Sequence, residues 1–471
     1  MGLPRGASVG ERPQPPMTPE PSHEWGFRSS TVRRTRLHGR ALRLGLLALI
    51  CAMGIGTSSS GHAGLVPKHS VTFTQTAASS SGVGTPVAPA AASGPAMLTL
   101  VPRLAGAQLQ PVTYGALHGW AEDDTWAAFA TFLTSCAALA KTPAEIGPVS
   151  NPVLRAGLSR ACAAARALAT PAPTPLVARL FFEANFRPFA IVPDARPTGF
   201  LTGYYEPEVE GSLVRTDTYT VPVYGRPADL VPSRPQAEGN KGAVSRDDGT
   251  RLVPYWDRAA IEDGALAGRG LEICWLKDPV DLFFMQIQGS ARVRLPDGNV
   301  LRLNYDGHNG QPYVPVGRLL IERGQVPREQ MSMDRIRAFM EADPAAGRAL
   351  RRENPSFVFF RAVPLAAGEG ALGAQGVGLT AGRSIAVDRE LHTYGTPIFI
   401  DARLPLRGEA ADTPFQHLMI AQDTGSAIVG PARADIFFGA GAVAARIAGR
   451  LRHPGDFFLL LPRLSGGAVA P

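Results

Sequence analysis

From Gly199 to the end of the chain, short apolar runs alternate with glycine, proline, asparagine and aspartate. Runs of this length, rich in aromatic and β-branched residues and bounded by turn formers, are typical of strands and hairpins. One group of runs begins with FLTGYYEPEVEGS and includes DLFFMQIQGSARVRL, and the other begins with SFVFFRAV. The helical stretches VGRLLIERG and MDRIRAFMEAD lie between the groups, and GAVAARIAGRLR interrupts the second. This pattern predicts a closed or nearly closed β-barrel together with a second β domain.

Before this region the apolar residues follow helical spacing. It predicts helices over residues 120–139, 152–169 and 176–185, the first with Asp123 or Asp124 as its N-cap. The predicted fold class is therefore mainly β with N-terminal helices (α+β). No GxGxxG motif follows a predicted strand and the sequence contains no Walker loop, so nothing indicates a nucleotide-binding fold.

The first 63 residues have the pattern of a secretory leader. Arginines precede a short apolar run over residues 44–56, and small residues follow it. The run is short for a bilayer span, and a short buried helix is the alternative interpretation. Residues 64–100 are rich in Ser, Ala, Gly, Pro and Thr, which indicates a flexible linker.

The end of the leader has two interpretations. Cys51 lies in the apolar run and is a candidate for a lipid anchor, although Ile50 precedes it where lipoprotein signals carry a small residue. Cleavage near Ala63 is the competing interpretation. The pair Arg33 and Arg34 hints at twin-arginine export, but its surroundings match that signal poorly. Either route predicts a bacterial periplasmic protein, associated with the outer membrane if the anchor forms.

Charge and cysteine usage exclude several classes of protein. Residues 1–43 carry eight Arg against three Glu and so account for +5 of the net charge of +7. The nearly neutral remainder gives no sign of a nucleic-acid partner. Cys274 is predicted to be a buried thiol, and Cys136 and Cys162 on successive helices are either free or paired in a disulfide. There is no CxxC motif and no histidine pattern for a metal, so we expect no metal site.

Aromatic, amide and acidic side chains are concentrated in three segments, TGYYEP, QIQGS and NYDGHNGQPY. In isolation each is explained by packing, but together they suit sugar hydroxyl and N-acetyl groups, because amides donate and accept while aromatic faces stack on pyranoses. A peptide groove would have a similar inventory. The interpretation of Gln286 and Gln288 depends on a strand, where residues two apart share a face. The candidate substrate-binding residues are Tyr204, Tyr205, Glu206, Gln286, Gln288, Ser290, Tyr305 and Asn309.

Asp388, Asp423 and Asp435 lie at or near the ends of predicted strands. Neither a Ser-His-Asp set nor a cysteine nucleophile with a neighbouring histidine can be assembled, so carboxylates are the leading acid–base candidates. Carboxylate chemistry on neutral sugars indicates cleavage of glycosidic bonds. Turn and cap roles for the three aspartates are the alternative.

Motifs spread over residues 199–462 resemble those of the membrane-bound lytic murein transglycosylase A family. They include TGYYEP, NYDGHNGQPYVPVGRLLIERG, LTAGRSIAVDRE, YGTPIFID and AQDTGSAIVGPARADIFFGAG, in this order. The resemblance implies a double-psi β-barrel interrupted by a second β-barrel-like domain, with a substrate groove between them. It places the N-terminal helical part of the barrel domain at 101–202, the inserted β domain at 203–345 and the C-terminal three-aspartate part at 346–463.

The resemblance also implies roles for the three aspartates. Asp435, in ADIFFG, corresponds to the catalytic acid of related barrels, Asp423 is its hydrogen-bonding neighbour, and Asp388 is a structural acid that orders the loop toward YGTP. The sequence departs from the family pattern in AQDTGSAIVG and QGSARV, where Ser426 and Ala291 replace glycines and Val429 replaces a lysine.

The function implied is a lyase that cleaves the MurNAc-β-1,4-GlcNAc bond of peptidoglycan and leaves 1,6-anhydroMurNAc ends, with no metal or cofactor. The expected partners are glycan strands and wall-remodelling proteins, with membrane contact only through the leader or a lipid anchor. Two alternatives remain at this point. One is a glycoside hydrolase that uses Asp435 and Asp423 as acid and base, and the other is an expansin-like glycan-binding module without activity.

Overall fold

The computed structural model describes residues 103–141, 152–169, 172–195, 198–232, 244–366, 368–408 and 410–463. The predicted leader and linker, with Cys51, Ala63 and the Arg33–Arg34 pair, lie outside these ranges. No helix within them is long and apolar enough to cross a membrane.

The described elements are numbered in chain order, and we call the segment from Glu208 to Ala362, which separates the barrel strands into two parts, the insert. The part before the insert consists of β1 (Ala107–Pro111), α1 (Thr125–Lys141), α2 (Pro152–Leu168), α3 (Pro175–Asn185), β2 (Phe186–Pro193) and β3 (Gly199–Glu206). The strands of the insert are β4 (Glu208–Ser212), β5 (Val221–Tyr224), β6 (Val231–Pro232), β7 (Val244–Asp247), β8 (Leu252–Pro254), β9 (Glu272–Leu276), β10 (Ser290–Arg294), β11 (Val300–His308) and β12 (Val358–Ala362). Its helices are α4 (Arg258–Glu262), α5 (Pro279–Gln288), α6 (Val316–Glu322), α7 (Met333–Ala342) and α8 (Pro344–Arg352). The last part consists of β13 (Ser384–Val387), β14 (Pro397–Leu404), β15 (Thr413–Asp423), β16 (Arg433–Ala440), α9 (Gly441–Arg450) and β17 (Arg452–Pro462).

Six strands close into a barrel in the order β17-β14-β15-β13-β16-β3, because β17 also pairs with β3. Two of the pairings are parallel, β3 with β16 and β13 with β15, and the other barrel pairings are antiparallel. Aliphatic side chains such as Leu201, Ile385, Ile400 and Ile436 fill the interior. The predicted barrel is thereby confirmed, and its first strand comes from the chain before the insert.

The insert is a second β unit with helices around it. Its main sheet runs β12-β11-β10-β4-β9-β5, and a small sheet contains β6, β7 and β8. Helices α6 and α7 match the predicted helical stretches between the two groups of strands. The boundaries predicted at 202/203 and 345/346 stay predictions.

The N-terminal helices pack on the outside of the barrel. Phe129, Phe132 and Phe182 are fully buried together with Phe399 and Leu418 of the barrel. All three predicted helices are present, and Asp124 receives a hydrogen bond from the amide of Ala127 at the start of α1. Asp123 has a different role, because its carboxylate is buried against the side chain of Arg383. Cys136 and Cys162 form a disulfide, a pairing that the sequence left open. Cys274 is a free buried thiol, as predicted.

The strand predicted for DLFFMQIQGSARVRL is wrong in its first half, which forms helix α5. Asp278 accepts a hydrogen bond from the amide of Val280 at 2.7 Å, Pro279 occupies the first turn, and Gly289 ends the helix with φ of 80°. These are start and stop signals that outweigh the apolar run between them. Residues two apart on a helix are separated by about 200° around its axis. Gln286 and Gln288 therefore do not share a face.

Candidate active site

Asp435 lies in the middle of the parallel pair β3–β16. Its backbone is level with Thr202 on β3 and with Ala386 on β13. The hydroxyl of Thr202 donates to Asp435 Oδ1 at 2.7 Å, and Arg433 Nη2 donates to the same hydroxyl at 2.7 Å. Burial raises the pKa of Asp435, while the charge of Arg433 and the Thr202 hydrogen bond oppose the rise. This half-buried carboxyl is thus held on one oxygen and tends to keep its proton.

Asp423 ends strand β15 and is held by three donors. The hydroxyl of Tyr204 donates to Oδ2 at 2.8 Å, and the amides of Ala374 and Thr424 donate to Oδ1 at 2.8 and 2.9 Å. Burial raises the pKa of Asp423 to about 6, the charge of Asp435 adds to the rise, and the three hydrogen bonds oppose it. The charge of Asp435 therefore reaches Asp423, and a neighbouring charge of the same sign opposes the ionisation of a carboxyl group.

Strand β3 connects the two acids. Thr202 and Tyr204 are two residues apart and therefore project from the same face of the strand, one toward each carboxylate. The ring of Tyr204 packs against Phe437 with a centroid distance of 5.3 Å. Burial and the charges of Asp423 and Asp435 raise the pKa of the Tyr204 phenol well above 10, so it acts as a donor. The structure therefore brings together Tyr204, Asp423 and Asp435 of the predicted set.

Two further tyrosines were not predicted as site residues. Burial raises the pKa of Tyr394 to about 12 and the charge of Asp423 adds to this, which places the phenol near that acid. Burial also raises the pKa of Tyr313 in the insert. The charge of Arg258 opposes this rise and the charge of Asp435 adds to it. The charge of Asp435 therefore reaches this side chain of the insert. Thr202 was missed as well, although its spacing of two from Tyr204 was a usable signal.

Asp388 is buried and contacts backbone groups. The amide of Glu390 donates to Oδ1 at 3.0 Å, and the amide of Gly430 donates to Oδ2 at 2.8 Å. It therefore joins the turn after β13 to the loop between β15 and β16. The substituted residues Ser426 and Val429 are exposed on that loop, whereas Ala291 is packed in the core of the insert.

Glu206 is fully buried in an ion-pair cluster. Arg292 Nε lies 2.8 Å from its Oε2, and Arg302 Nη2 lies 3.0 Å from its Oε1. Both arginines also donate to the carbonyl of Glu369, and Arg302 donates to that of Ala366. We call Glu206, Arg292 and Arg302 the Glu206 cluster. It lies where the chain passes from the barrel to the insert and back, so Glu206 belongs to the framework rather than to the site surface.

Most of the other predicted binding residues also belong to the framework. Tyr205 packs against α9, and its amide donates to Gln288 at 2.9 Å. Gln286 accepts from Arg258 at 2.6 Å. Ser290 is buried. Asn309 is fully buried, and its side-chain amide donates to the carbonyls of Trp256 and Pro355.

Tyr305 alone among these residues is well exposed, at 43%. Burial raises the pKa of the Tyr305 phenol, and the charge of Arg389, next to Asp388 on the barrel, opposes the rise. Tyr305 is therefore within electrostatic reach of the barrel. Within the described ranges, no group of three or more His, Cys, Asp and Glu side chains is arranged to hold a metal ion.

Two family models match the chain. The MltA specific insert domain covers residues 200–361, and the 3D domain covers residues 383–461. The chain is 36% identical over 272 residues to the membrane-bound lytic murein transglycosylase A of Vibrio cholerae. That alignment spans 57% of this chain and 66% of the relative, just under two thirds of its length.

Solved structures show the same similarity. A membrane-bound lytic murein transglycosylase from Agrobacterium tumefaciens is 38% identical with a TM-score of 0.67, over 75% of this chain and 98% of that one. Escherichia coli MltA with bound chitohexaose is 26% identical with a TM-score of 0.55, over 76% of this chain and 92% of that one.

Proposed function

Because the chain belongs to the membrane-bound lytic murein transglycosylase A family, we propose that it cleaves the MurNAc-β-1,4-GlcNAc bond of peptidoglycan without water. The product ends are 1,6-anhydroMurNAc. The observation that supports this is the environment of Asp435, a partly buried acid with a raised pKa whose charge reaches Tyr313 of the insert.

Asp435 acts first as general acid. Its proton passes to the glycosidic oxygen while the C1–O bond breaks, and positive charge develops at C1 of MurNAc. The resulting carboxylate then takes the proton from the C6 hydroxyl of the same sugar as that oxygen attacks C1. Atoms and charge balance, because Asp435 regains the proton it gave. Among the described residues, a hydrogen bond from a side chain reaches only Oδ1 of Asp435, so we assign the transferred proton to Oδ2.

The surroundings of Asp423 favour this reaction over hydrolysis. A hydrolase needs a second carboxylate that is free to activate water or to attack C1. Both oxygens of Asp423 already accept hydrogen bonds, from Tyr204 on one side and from two backbone amides on the other. We therefore assign Asp423 the role of a charged neighbour that helps to keep the proton on Asp435. Tyr204 is a positioning residue, because its hydroxyl holds the Asp423 carboxylate.

The substrate is a glycan strand with N-acetylated sugars. The ligand bound to Escherichia coli MltA is chitohexaose, an oligomer of that kind, and this supports the same ligand class here. Tyr305 and Tyr313 of the insert are the aromatic side chains we place along the bound strand. The names of the relatives indicate the cell envelope, and we propose the periplasm, with outer-membrane association and wall-remodelling proteins as further partners.

Product analysis tests the reaction type. Muropeptides released from sacculi are expected to be lighter by one water than hydrolytic products and to resist borohydride reduction. Only reducible ends would show a hydrolase, and sacculi that bind the protein without releasing products would show a binding module.

The substitution Asp435→Asn tests the assignment of the acid. It keeps the shape of the side chain and removes the transferable proton, so turnover is expected to fall by a hundredfold or more while glycan binding persists. Asp401→Asn is a control, because Asp401 lies on β14 of the same barrel and contacts His118 and Gln416 instead. Substantial turnover by the Asp435 variant would transfer the acid role to Asp423.

A further inference from the structure

A cleft of about 610 Å³ lies between the insert and the barrel, apart from the carboxylate pair. One wall is the turn at Arg328–Gln330 and the first half of α7, and the other is the junction of α9 and β17. Arg452 crosses between the walls, since its Nη2 donates to the carbonyl of Glu329 at 2.8 Å. None of the residues that line it was singled out by the sequence or used in the proposed reaction.

Arginines outnumber acidic residues in the lining of this cleft. The lining includes Arg335, Arg450, Arg452 and His453 on one side of the balance and Glu329 and Asp334 on the other. Helix α7 begins at the cleft, where Ser332 caps the amide of Arg335 at 3.2 Å, and a helix start adds partial positive charge. Arginine forks bind carboxylates and phosphates in preference to neutral groups. The cleft is therefore suited to an anion rather than to an N-acetylated sugar.

The strand register fixes the distance of this cleft from Asp435. Arg452 on β17 is directly opposite Thr202 on β3, and Thr202 is level with Asp435 on β16. Directly opposite residues project from the same face of a sheet. Neighbouring strands lie about 4.8 Å apart, so the backbones of Arg452 and Asp435 are separated by about 10 Å. A group attached to a sugar bound at Asp435 can span this distance.

We propose that the cleft binds the carboxylates of the peptide stems that murein glycans carry on MurNAc, an inference that rests on the proposed function. The sugars themselves are neutral once the lactyl carboxyl is joined to the peptide, so the anionic groups of this substrate lie in its stems. The cleft then makes strands with free stem carboxylates better substrates than strands whose stem carboxyl groups are amidated.

Kinetics of the full chain with two substrates test the proposal. Intact sacculi and sacculi whose stem carboxyl groups have been amidated are compared for wild type and for Arg335→Gln. We expect the ratio of kcat/KM between the substrate with free stem carboxylates and the amidated substrate to fall by about tenfold in the variant, as for loss of one charge-assisted hydrogen bond. The matched control is Arg318→Gln, because Arg318 is an exposed arginine of the insert on α6, outside the cleft lining.

Direct binding separates the sources of the anion. A short acidic stem peptide is titrated into wild type and the Arg335 variant, alongside the same peptide with amidated carboxyl groups and inorganic phosphate. Binding that needs the free carboxyl groups and Arg335 supports the proposal. An unchanged substrate ratio in the variant, or equal binding of the amidated peptide, overturns it. Absence of anhydro products from both substrates would instead contradict the proposed function.

Discussion

At the scale of single residues, the site depends on two hydroxyl groups of β3, one for each carboxylate. Thr202 donates to Asp435 and Tyr204 donates to Asp423, so the strand sets how the pair shares a proton. Acid catalysis needs that proton. Because burial raises the pKa of Asp435, we expect kcat/KM to fall as the pH rises through that raised pKa and the proton is lost.

Asp423→Asn removes a negative charge next to Asp435. A neighbouring charge of the same sign raises a carboxyl pKa, so its loss should lower the apparent pKa of the remaining acid. The alkaline limb of the pH–rate profile is expected to move to lower pH, with some activity kept because Asp435 still carries the proton. A lowered melting temperature with an unmoved limb would make Asp423 a turn residue only.

Tyr204→Phe should move the same limb in the opposite direction. The ring still packs on Phe437, but the hydrogen bond that stabilises ionised Asp423 is lost. The apparent pKa of the pair is then expected to rise by about one unit, as for a hydrogen bond to a charged group. pH–rate profiles of both variants provide the measurement, and shifts in the same direction would contradict the proposed coupling.

At the scale of elements, α5 shows how a glycine defines the end of a helix. Gly289 has φ of 80°, and a Cβ added there would meet nothing within 4 Å. Gly289→Ala should therefore cost about 1 kcal/mol of stability from backbone strain alone. Gly368 is an open position without a positive φ and serves as the control, since Gly368→Ala should leave stability unchanged or slightly raised in chemical denaturation. Equal effects of the two substitutions would contradict the strain argument.

The sequence predicted elements best where periodicity and turn signals agree. The barrel strands follow from short apolar runs separated by turn-forming residues, and the N-terminal helices follow from helical spacing. Asp423 and Asp435 stood out as acids among apolar residues. The apolar run in α5 fits a strand and a buried helix equally well, and only its caps distinguish them. The role of Glu206 could not be predicted, because Arg292 and Arg302 are 86 and 96 residues away in sequence.

At the scale of the whole molecule, the Glu206 cluster joins the barrel to the insert. Glu206→Gln would leave Arg302 buried without its counter-charge, and breaking a buried pair in this way costs about 3–5 kcal/mol. We expect a large loss of stability in denaturant unfolding. Glu210→Gln is the matched control, because Glu210 is exposed. Its ion pair with the exposed Lys277 is long, at 4.0 Å, and exposed pairs of this kind contribute little to stability. Similar unfolding of the two variants would show that the cluster adds little.

The Glu206 cluster also bears on how such chains can recombine. The barrel contributes Glu206 at the point where the chain leaves it, and the insert contributes both arginines. The segment that leads back from the insert to the barrel contributes the carbonyl of Glu369. An insert transplanted from a related protein would fit this barrel only if it brought arginines equivalent to 292 and 302. Exchange of whole inserts by gene shuffling is therefore restricted to donors that carry arginines at these two positions, whatever the rest of their surface looks like.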